Sequence, residues 1–278
     1  MDATTRTVNV AIPGGTLPFE VLADDAIIGP AIAKGSWADD ETALMCAHLG
    51  KGQRMVDLGG NVGWFAVQAI LAGAEVDCFE PVPAIAAVAA RNVAAANERG
   101  PGKGRVHEFA AGAERGEASI VLSTANHGDN RVVEGDTPAD LGDAERLTIQ
   151  IAPVDDFVKG PVRFLKVDTQ GSEWAALQGC KQLLADSPEL GLLLELWPYA
   201  LRGATAEELL AFLDDEGFVL GKATNGPYPM TTARILAQVG NAADVKGGID
   251  LYGTRRRPFH VLGTKARLRG MWRSLKET

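Results

Sequence analysis

The sequence predicts an α/β fold on a mostly parallel sheet, and three observations predict it. Apolar β-like runs alternate with helix-like segments from residue 54 onward, the rhythm of βαβ units with right-handed crossovers. The first run, Arg54 to Leu58, enters a glycine turn at Gly59, Gly60 and Gly63 and then a helix. Later runs deliver acids, Glu80, Asp168 and Glu195, to the strand ends, the edge at which open α/β sheets bind ligands.

Each element has its own signal. Val8 to Ile12 and Phe19 to Leu22, broken by Pro13, Gly14, Gly15 and Pro18, predict a hairpin in residues 1–36 that covers the main domain. Residues 39–49 read as a helix capped by Asp39 or Asp40 and stopped at Gly50-Lys51-Gly52. Strand 54–58, helix 62–72, strand 75–79 and helix 83–97 follow, the last with an alanine-rich face from Ala84 to Ala96 suited to close packing. Strands are expected at 105–110 and 118–122. Residues 123–145 are polar and longer than an ordinary connector, which predicts an active-site or substrate loop. Then come a strand at 162–168, a helix through Leu184, and a strand from Leu190 to Glu195 leading into Trp197-Pro198-Tyr199. A helix over 205–216, capped by Thr205 with Glu207 and Glu208 in its first turn, precedes β-like runs at 218–220 and 249–252. The expected division is the hairpin cover, one large domain over 37–260, and a basic tail over 261–278.

Composition narrows the function. A chain of 278 residues, 46% of them hydrophobic, can bury a substantial core as one large domain. A net charge of −9 argues against nonspecific nucleic-acid binding. Cys46, Cys78 and Cys180 are scattered and odd in number, and read as free core thiols. A basic region followed by an apolar stretch is missing at the start, and no run approaches 18 apolar residues, so a cytoplasmic protein without a membrane span is expected. A homo-oligomer stays open. Arg255, Arg256, Arg257, Lys265, Arg267, Arg269 and Arg273 make the end of an acidic chain basic, facing solvent, an anionic carrier, a membrane surface or another subunit.

The glycine turn separates two cofactor classes. Strand, turn and helix leave N–H groups and a positive dipole end above the strand, and Glu80 follows Gly59 by 21 residues, the spacing at which an acid accepts ribose hydroxyls. A nicotinamide site wants G-x-G-x-x-G. Taking Gly60 and Gly63 as its last two glycines puts Leu58 first, and starting at Gly59 puts Asn61 in the third position. What stands is Asp57-x-Gly59-x-Asn61-x-Gly63, which resembles the first motif of S-adenosylmethionine (SAM) dependent methyltransferases. Asp57 suits a ligand with an ammonium and a sulfonium, and repels a phosphate.

Further blocks make the resemblance specific. Gly35-x-Trp37 with Glu41-Thr42, Val56 to Gly63, Phe79-Glu80-Pro81, Pro153 to Phe157, Phe164 to Glu173 with Leu177-x-Gly179, and Leu194-Glu195 occur in order, and over residues 35–220 the chain resembles the FkbM family of SAM-dependent methyltransferases. Where many relatives read Asp-x-Glu-Gly, this chain has Asp168-Thr169-Gln170-Gly171, so no acid role falls to Gln170. The resemblance implies a class I methyltransferase fold: a Rossmann-like three-layer sandwich with a seven-stranded, mostly parallel sheet and an antiparallel last strand. It also implies O-methylation of a hydroxyl on a sugar, glycolipid or polyketide-type natural product.

Candidate site residues follow. Asp57, Gly59, Gly60, Asn61, Gly63 and Glu80 are the expected cofactor contacts, with Trp37 stacking over the adenine or closing the cleft. An alcohol becomes a good nucleophile on losing its proton, so a base is sought. Asp168 is the first candidate, with orientation of the cofactor's methionine portion as its alternative role. His127 is the second, beside Asn126 and Asn130, which with Trp197 are the expected substrate contacts. Lys166 is expected to pair with a carboxylate. Asp168, Glu173 and Glu195 match no dedicated metal spacing, so no metal requirement is predicted. A nicotinamide-dependent oxidoreductase and a SAM-binding module without turnover are the rival readings.

Overall fold

The computed structural model describes residues 3–12, 15–35, 37–123, 126–133, 145–224, 226–240, 243–244 and 247–255, apart from the side chain of His127. The chain opens with a hairpin, β1 (Thr5–Ile12) and β2 (Gly15–Leu22), followed by α1 (Ile28–Ala33) and α2 (Asp39–His48). Next come β3 (Arg54–Leu58), α3 (Trp64–Leu71), β4 (Glu75–Phe79), α4 (Pro83–Arg99) and β5 (Lys103–His107). A second group of strands follows, β6 (Ala110–Ala111), β7 (Gly116–Val121), β8 (Arg131–Val133) and β9 (Arg146–Ala152). The rest is β10 (Phe164–Val167), α5 (Glu173–Gln178), α6 (Lys181–Asp186), β11 (Gly191–Leu196), α7 (Ala206–Asp215), β12 (Val219–Lys222), α8 (Thr232–Val239) and β13 (Ile249–Thr254).

Seven strands form the main sheet in the order β12-β13-β11-β10-β3-β4-β5. Neighbours pair in parallel, except that β13 runs antiparallel to both β11 and β12. The seven-stranded sheet with an antiparallel last strand is therefore as the resemblance implied. Side chains alternate across it with period two: Met55, Val76, Cys78 and Phe164 join the core beneath α2, α3 and α4, whereas Val56, Phe79, Leu165 and Val167 join the core beneath α5, α6 and α7. The sandwich thus has three layers. The hairpin lies on α4, where buried Asn92 accepts from Glu20 N at 2.7 Å and donates to the carbonyls of Glu20 and Val62, each at 2.8 Å.

Several elements differ from the sequence expectation. The strand expected at 105–110 stops at His107, and Ala110–Ala111 leave it to pair with β9 in a separate four-stranded sheet, β6-β9-β7-β8. Within the polar stretch after β7, a 3-10 turn (His127–Asp129) and β8 return the chain to antiparallel pairing with β7; residues 124–125 and 134–144 lie outside the described residues. The helix expected to run to Leu184 breaks in two, since Asp155 reaches across to accept from Gln182 N and Leu183 N and so caps α6 as a new start. Asp39 is the first residue of α2 rather than its cap, which is Ala38 at φ 48°. Thr205 caps α7 as expected, in a capping box with Glu208. Residues 256–278, which include the basic tail expected over 261–278, lie outside the described residues, and among the described residues no helix is long and apolar enough to cross a membrane.

Candidate functional site

The carboxyl ends of β3, β4, β10 and β11 open into a cavity of about 520 Å³. Its floor is set by one close crossing. Gly59, at φ 77°, passes so near the chain leaving β10 that an added Cβ would lie 1.8 Å from Asp168 O, and Asp168 N donates to Leu58 O at 3.1 Å. Only glycine fits there. The crossing brings the glycine turn and the strand-end acid Asp168 into one wall.

The turn's amides are engaged, contrary to the open cradle the sequence implied. Gly59 N and Gly60 N both donate to Phe79 O, at 3.0 and 2.9 Å, and Gly63 N donates to Gly60 O. Asn61 N donates to Glu80 Oε2 at 2.9 Å, and Val62 N to Asn61 Oδ1 at 2.7 Å. The five amides from Gly59 to Gly63 thus all have partners, and the turn itself offers no nest for a pyrophosphate. The same bonds hold Asn61 at φ 47°. Ala38, Asn61 and Gln170 are the non-glycine residues at positive φ among the described residues, and all three line the cavity, where strained backbone tends to gather.

Gly59, Gly60, Asn61 and Glu80 line this end of the cavity; Asp57 and Gly63 do not. Asp57 is fully buried beneath the turn. It accepts from Ala66 N at the start of α3 and pairs with Lys166 at 3.3 Å, so the acid expected to face an ammonium instead anchors a lysine. Burial raises its pKa, and the Lys166 charge opposes that rise. Lys166 also lies 3.4 Å from Asp168 Oδ2 and donates to Gly59 O at 3.1 Å. Burial disfavours its charge, but Asp168 and Asp57 outweigh burial and hold the ammonium above its usual range. Glu80 accepts from Asn61 N and from Val82 N at 3.0 Å, and burial pushes it up to about 7 in spite of those bonds.

The other end of the cavity is acidic. Asp168, with a side chain 37% exposed, meets Gln170, Glu195, Asp250 and Glu41 there. Gln170 Nε2 donates to Asp168 Oδ1 at 2.7 Å and to Glu195 Oε2 at 2.5 Å. Burial, then the neighbouring Asp168, raises Glu195 well above the usual carboxyl range, and burial likewise raises Asp250 and Glu41. Glu173, grouped with these acids at the sequence level, is turned to the backbone: its Oε1 accepts from Thr169 N, Thr169 Oγ1 and Gly171 N. Among the described residues no cluster of His, Cys, Asp and Glu is arranged to hold a metal ion.

The 126–133 segment forms a further wall, to which Asn126 and Asn130 belong. Both asparagine oxygens brace the backbone, Asn126 Oδ1 accepting from Gly128 N and Asn130 Oδ1 from Ser123 N. Buried Arg131 fastens the segment, bonded to both oxygens of Asp129 and lying 4.5 Å over the ring of Trp197. Trp197 and Trp37 line the cavity; the His127 side chain lies outside the described residues. Gln170, Asp250 and Glu41 were not picked out as site residues from sequence. Asp250 had no local signal, because only the antiparallel register of β13 sets it opposite Glu195.

The family profile described as "Methyltransferase FkbM domain" matches residues 57–220. Among solved structures, magnesium protoporphyrin IX methyltransferase of Synechocystis with bound SAM is 12% identical, with 83% of this chain and 85% of that one covered and a TM-score of 0.44. A TehB-like SAM-dependent methyltransferase from Corynebacterium glutamicum is 12% identical, with coverage of 82% and 94% and a TM-score of 0.42. A SAM-dependent methyltransferase from Aquifex aeolicus is 14% identical, with coverage of 78% and 90% and a TM-score of 0.38. No curated protein matches the chain.

Proposed function

The chain belongs to the FkbM methyltransferase family, and from that premise we propose that it methylates a hydroxyl of a small molecule such as a sugar, a glycolipid or a polyketide-type natural product. Its cofactor is SAM, which supplies a methyl group on a positively charged sulfur. The residues at the glycine-turn end fit such a donor: a turn without free amides, over a buried carboxyl at Glu80, suits hydroxyls and positive charge better than phosphate. In this reading Glu80 accepts the ribose hydroxyls, Gly59, Gly60 and Asn61 form the floor, and Trp37 covers the open side. Asp57 and Gly63 act from below, fixing Lys166 and the start of α3.

The observation that carries the acceptor assignment is a carboxylate beside the donor turn. Asp168 is locked to Gly59 through the backbone and bonded at Oδ1 to Gln170, and its side chain is open to the cavity. With SAM bound, as the new C–O bond forms and the sulfur–carbon bond breaks with the electron pair left on sulfur, the acceptor's O–H proton passes to Asp168, a service worth about 10²–10⁴ in rate. Fixing oxygen and methyl in line contributes more, on the order of 7–11 kcal/mol. The acid end also favours a hydroxylated or neutral acceptor over a polyanion, as does the chain's charge of −9. The test is to incubate the full chain with SAM and a panel of sugars, glycolipids and hydroxylated polyketides, locating any methyl by mass spectrometry. Methylated oxygen in a small molecule, lost about 10²-fold or more in Asp168→Asn with SAM affinity kept, is expected. Methylation at nitrogen or carbon, or of RNA alone, overturns the reading.

A further inference from the structure

Gln170 stands at the tip of the turn after β10, at φ 50°. That conformation costs a non-glycine residue about 1–2 kcal/mol, so it persists only where its surroundings over-determine it. They do so here, since the buried Glu173 carboxyl accepts from Thr169 N at 3.0 Å and from Gly171 N at 2.9 Å, on both sides of Gln170. The turn therefore holds the side chain between two acids, Asp168 Oδ1 at 2.7 Å and Glu195 Oε2 at 2.5 Å. Partners that are both carboxyl oxygens identify the contacting amide atom as the nitrogen, which has two hydrogens to give and no charge.

The charges around this contact come from six elements. Lys166 from β10 is the cation that faces Asp168, and Lys222 from β12 acts on Asp250; Glu195 comes from β11, Asp250 from β13, Glu173 from α5, and Glu41 from α2 by way of Asp250. With Lys166 already shared between Asp57 and Asp168 and Lys222 acting on Asp250, the two ammonium groups are fewer than the acids, which cannot all be neutralised by ion pairs. An uncharged double donor holds two carboxyls side by side and leaves the proton count to them.

We propose that Gln170 is a positioning residue for methyl transfer, whose amide nitrogen clamps Asp168 to Glu195 so that Asp168 Oδ2, 3.4 Å from Lys166, is the oxygen left to take the acceptor's proton. The proposal rests on the reading of Asp168 as the base. A methionine at this position has similar length and no donor; a glutamate adds a further acid that must itself take up a proton.

The test reads the clamp on the full-length protein alone before any turnover. Infrared difference titration follows the protonated Glu195 carboxyl, its band assigned by disappearance in Glu195→Gln. In Gln170→Met the band is expected to titrate about one pH unit or more higher, because the ionised form has lost a donor, while SAM affinity by calorimetry stays within about threefold. With an acceptor from the panel above, kcat is expected to fall about tenfold in Gln170→Met and further in Gln170→Glu, with KM changed less than about threefold. An unmoved band, loss of SAM binding, or wild-type kcat in Gln170→Met beside an impaired Asp168→Asn each overturns the clamp. If Asp168→Asn itself turns over like the wild type, the base reading has failed instead, and the infrared titration still decides whether Gln170 holds the pair.

Discussion

Replacing Gly60 with alanine presses a methyl group into the underside of the glycine turn. A Cβ there lies 2.2 Å from Cys78 Sγ, and the next atoms, Asp57 Oδ2 and Phe79 O, are at a relaxed 3.7 Å. The contact with sulfur falls about 1.5 Å short of a van der Waals separation, and Cys78 is fully buried in the core, so the sulfur has nowhere to go. Overpacking of this kind costs about 1–3 kcal/mol. Gly60 is not among the residues at positive φ, so the backbone accepts alanine and the penalty has one source. Cys78→Ala removes that source at a cost of about 1 kcal/mol for the void it leaves. In the double variant the new methyl occupies the place of the lost sulfur. Urea unfolding of the four proteins should therefore show a coupling of about 1–3 kcal/mol in the stabilising direction. Because Gly60 lines the cavity, calorimetry should show SAM affinity weakened in Gly60→Ala and recovered in the double variant. Additive effects within about 0.5 kcal/mol refute the single-contact reasoning, and persistent weak binding after stability has recovered places the methyl against the ligand rather than beneath the turn.

Two further outcomes follow from the buried charges. Lys166→Met deprives the fully buried Asp57 of its ion pair and should cost about 3–5 kcal/mol in chemical denaturation; adding Asp57→Asn should return most of it, and no recovery means that Lys166 acts chiefly through Asp168 and Gly59. Burial raises Glu80 from 4.5 to about 7, so between those values the folded state holds a proton that the unfolded chain has released. The contribution of this group is thus present below about pH 4.5 and declines as pH rises toward 7. Urea midpoints compared at about pH 5 and about pH 8 should show the wild type losing up to about 3 kcal/mol more than Glu80→Gln, and parallel behaviour of the two proteins refutes the shift.

What could be read from the sequence was the chemistry contained within one stretch of chain. β3, β4 and the turn between β3 and α3 were legible because an apolar run, glycines and a helix follow one another without interruption, and Thr205 announced α7 because its partner Glu208 is three residues away. Elements fixed by a distant partner were not legible. Ala110–Ala111 becomes a strand only through β9, and α6 begins where it does because the Asp155 side chain arrives from another loop. The candidate site divides in the same way. Glu80, Asp168 and Glu195 were each visible as acids at strand ends, yet their behaviour depends on separations that no local pattern encodes. Glu80 is a capping acceptor for Asn61 and Val82, Asp57 is the buried anchor of Lys166, and Asp168 and Glu195 meet through an amide whose sequence signal was only the absence of an acid. A carboxyl's role is set by which donors and charges stand within about 4 Å of it, and the sheet order β11-β10-β3, which brings residues more than a hundred positions apart into one wall, decides that. Strand-end acids in such a sheet therefore locate a site from sequence alone, whereas the division of labour among them belongs to the register of the strands.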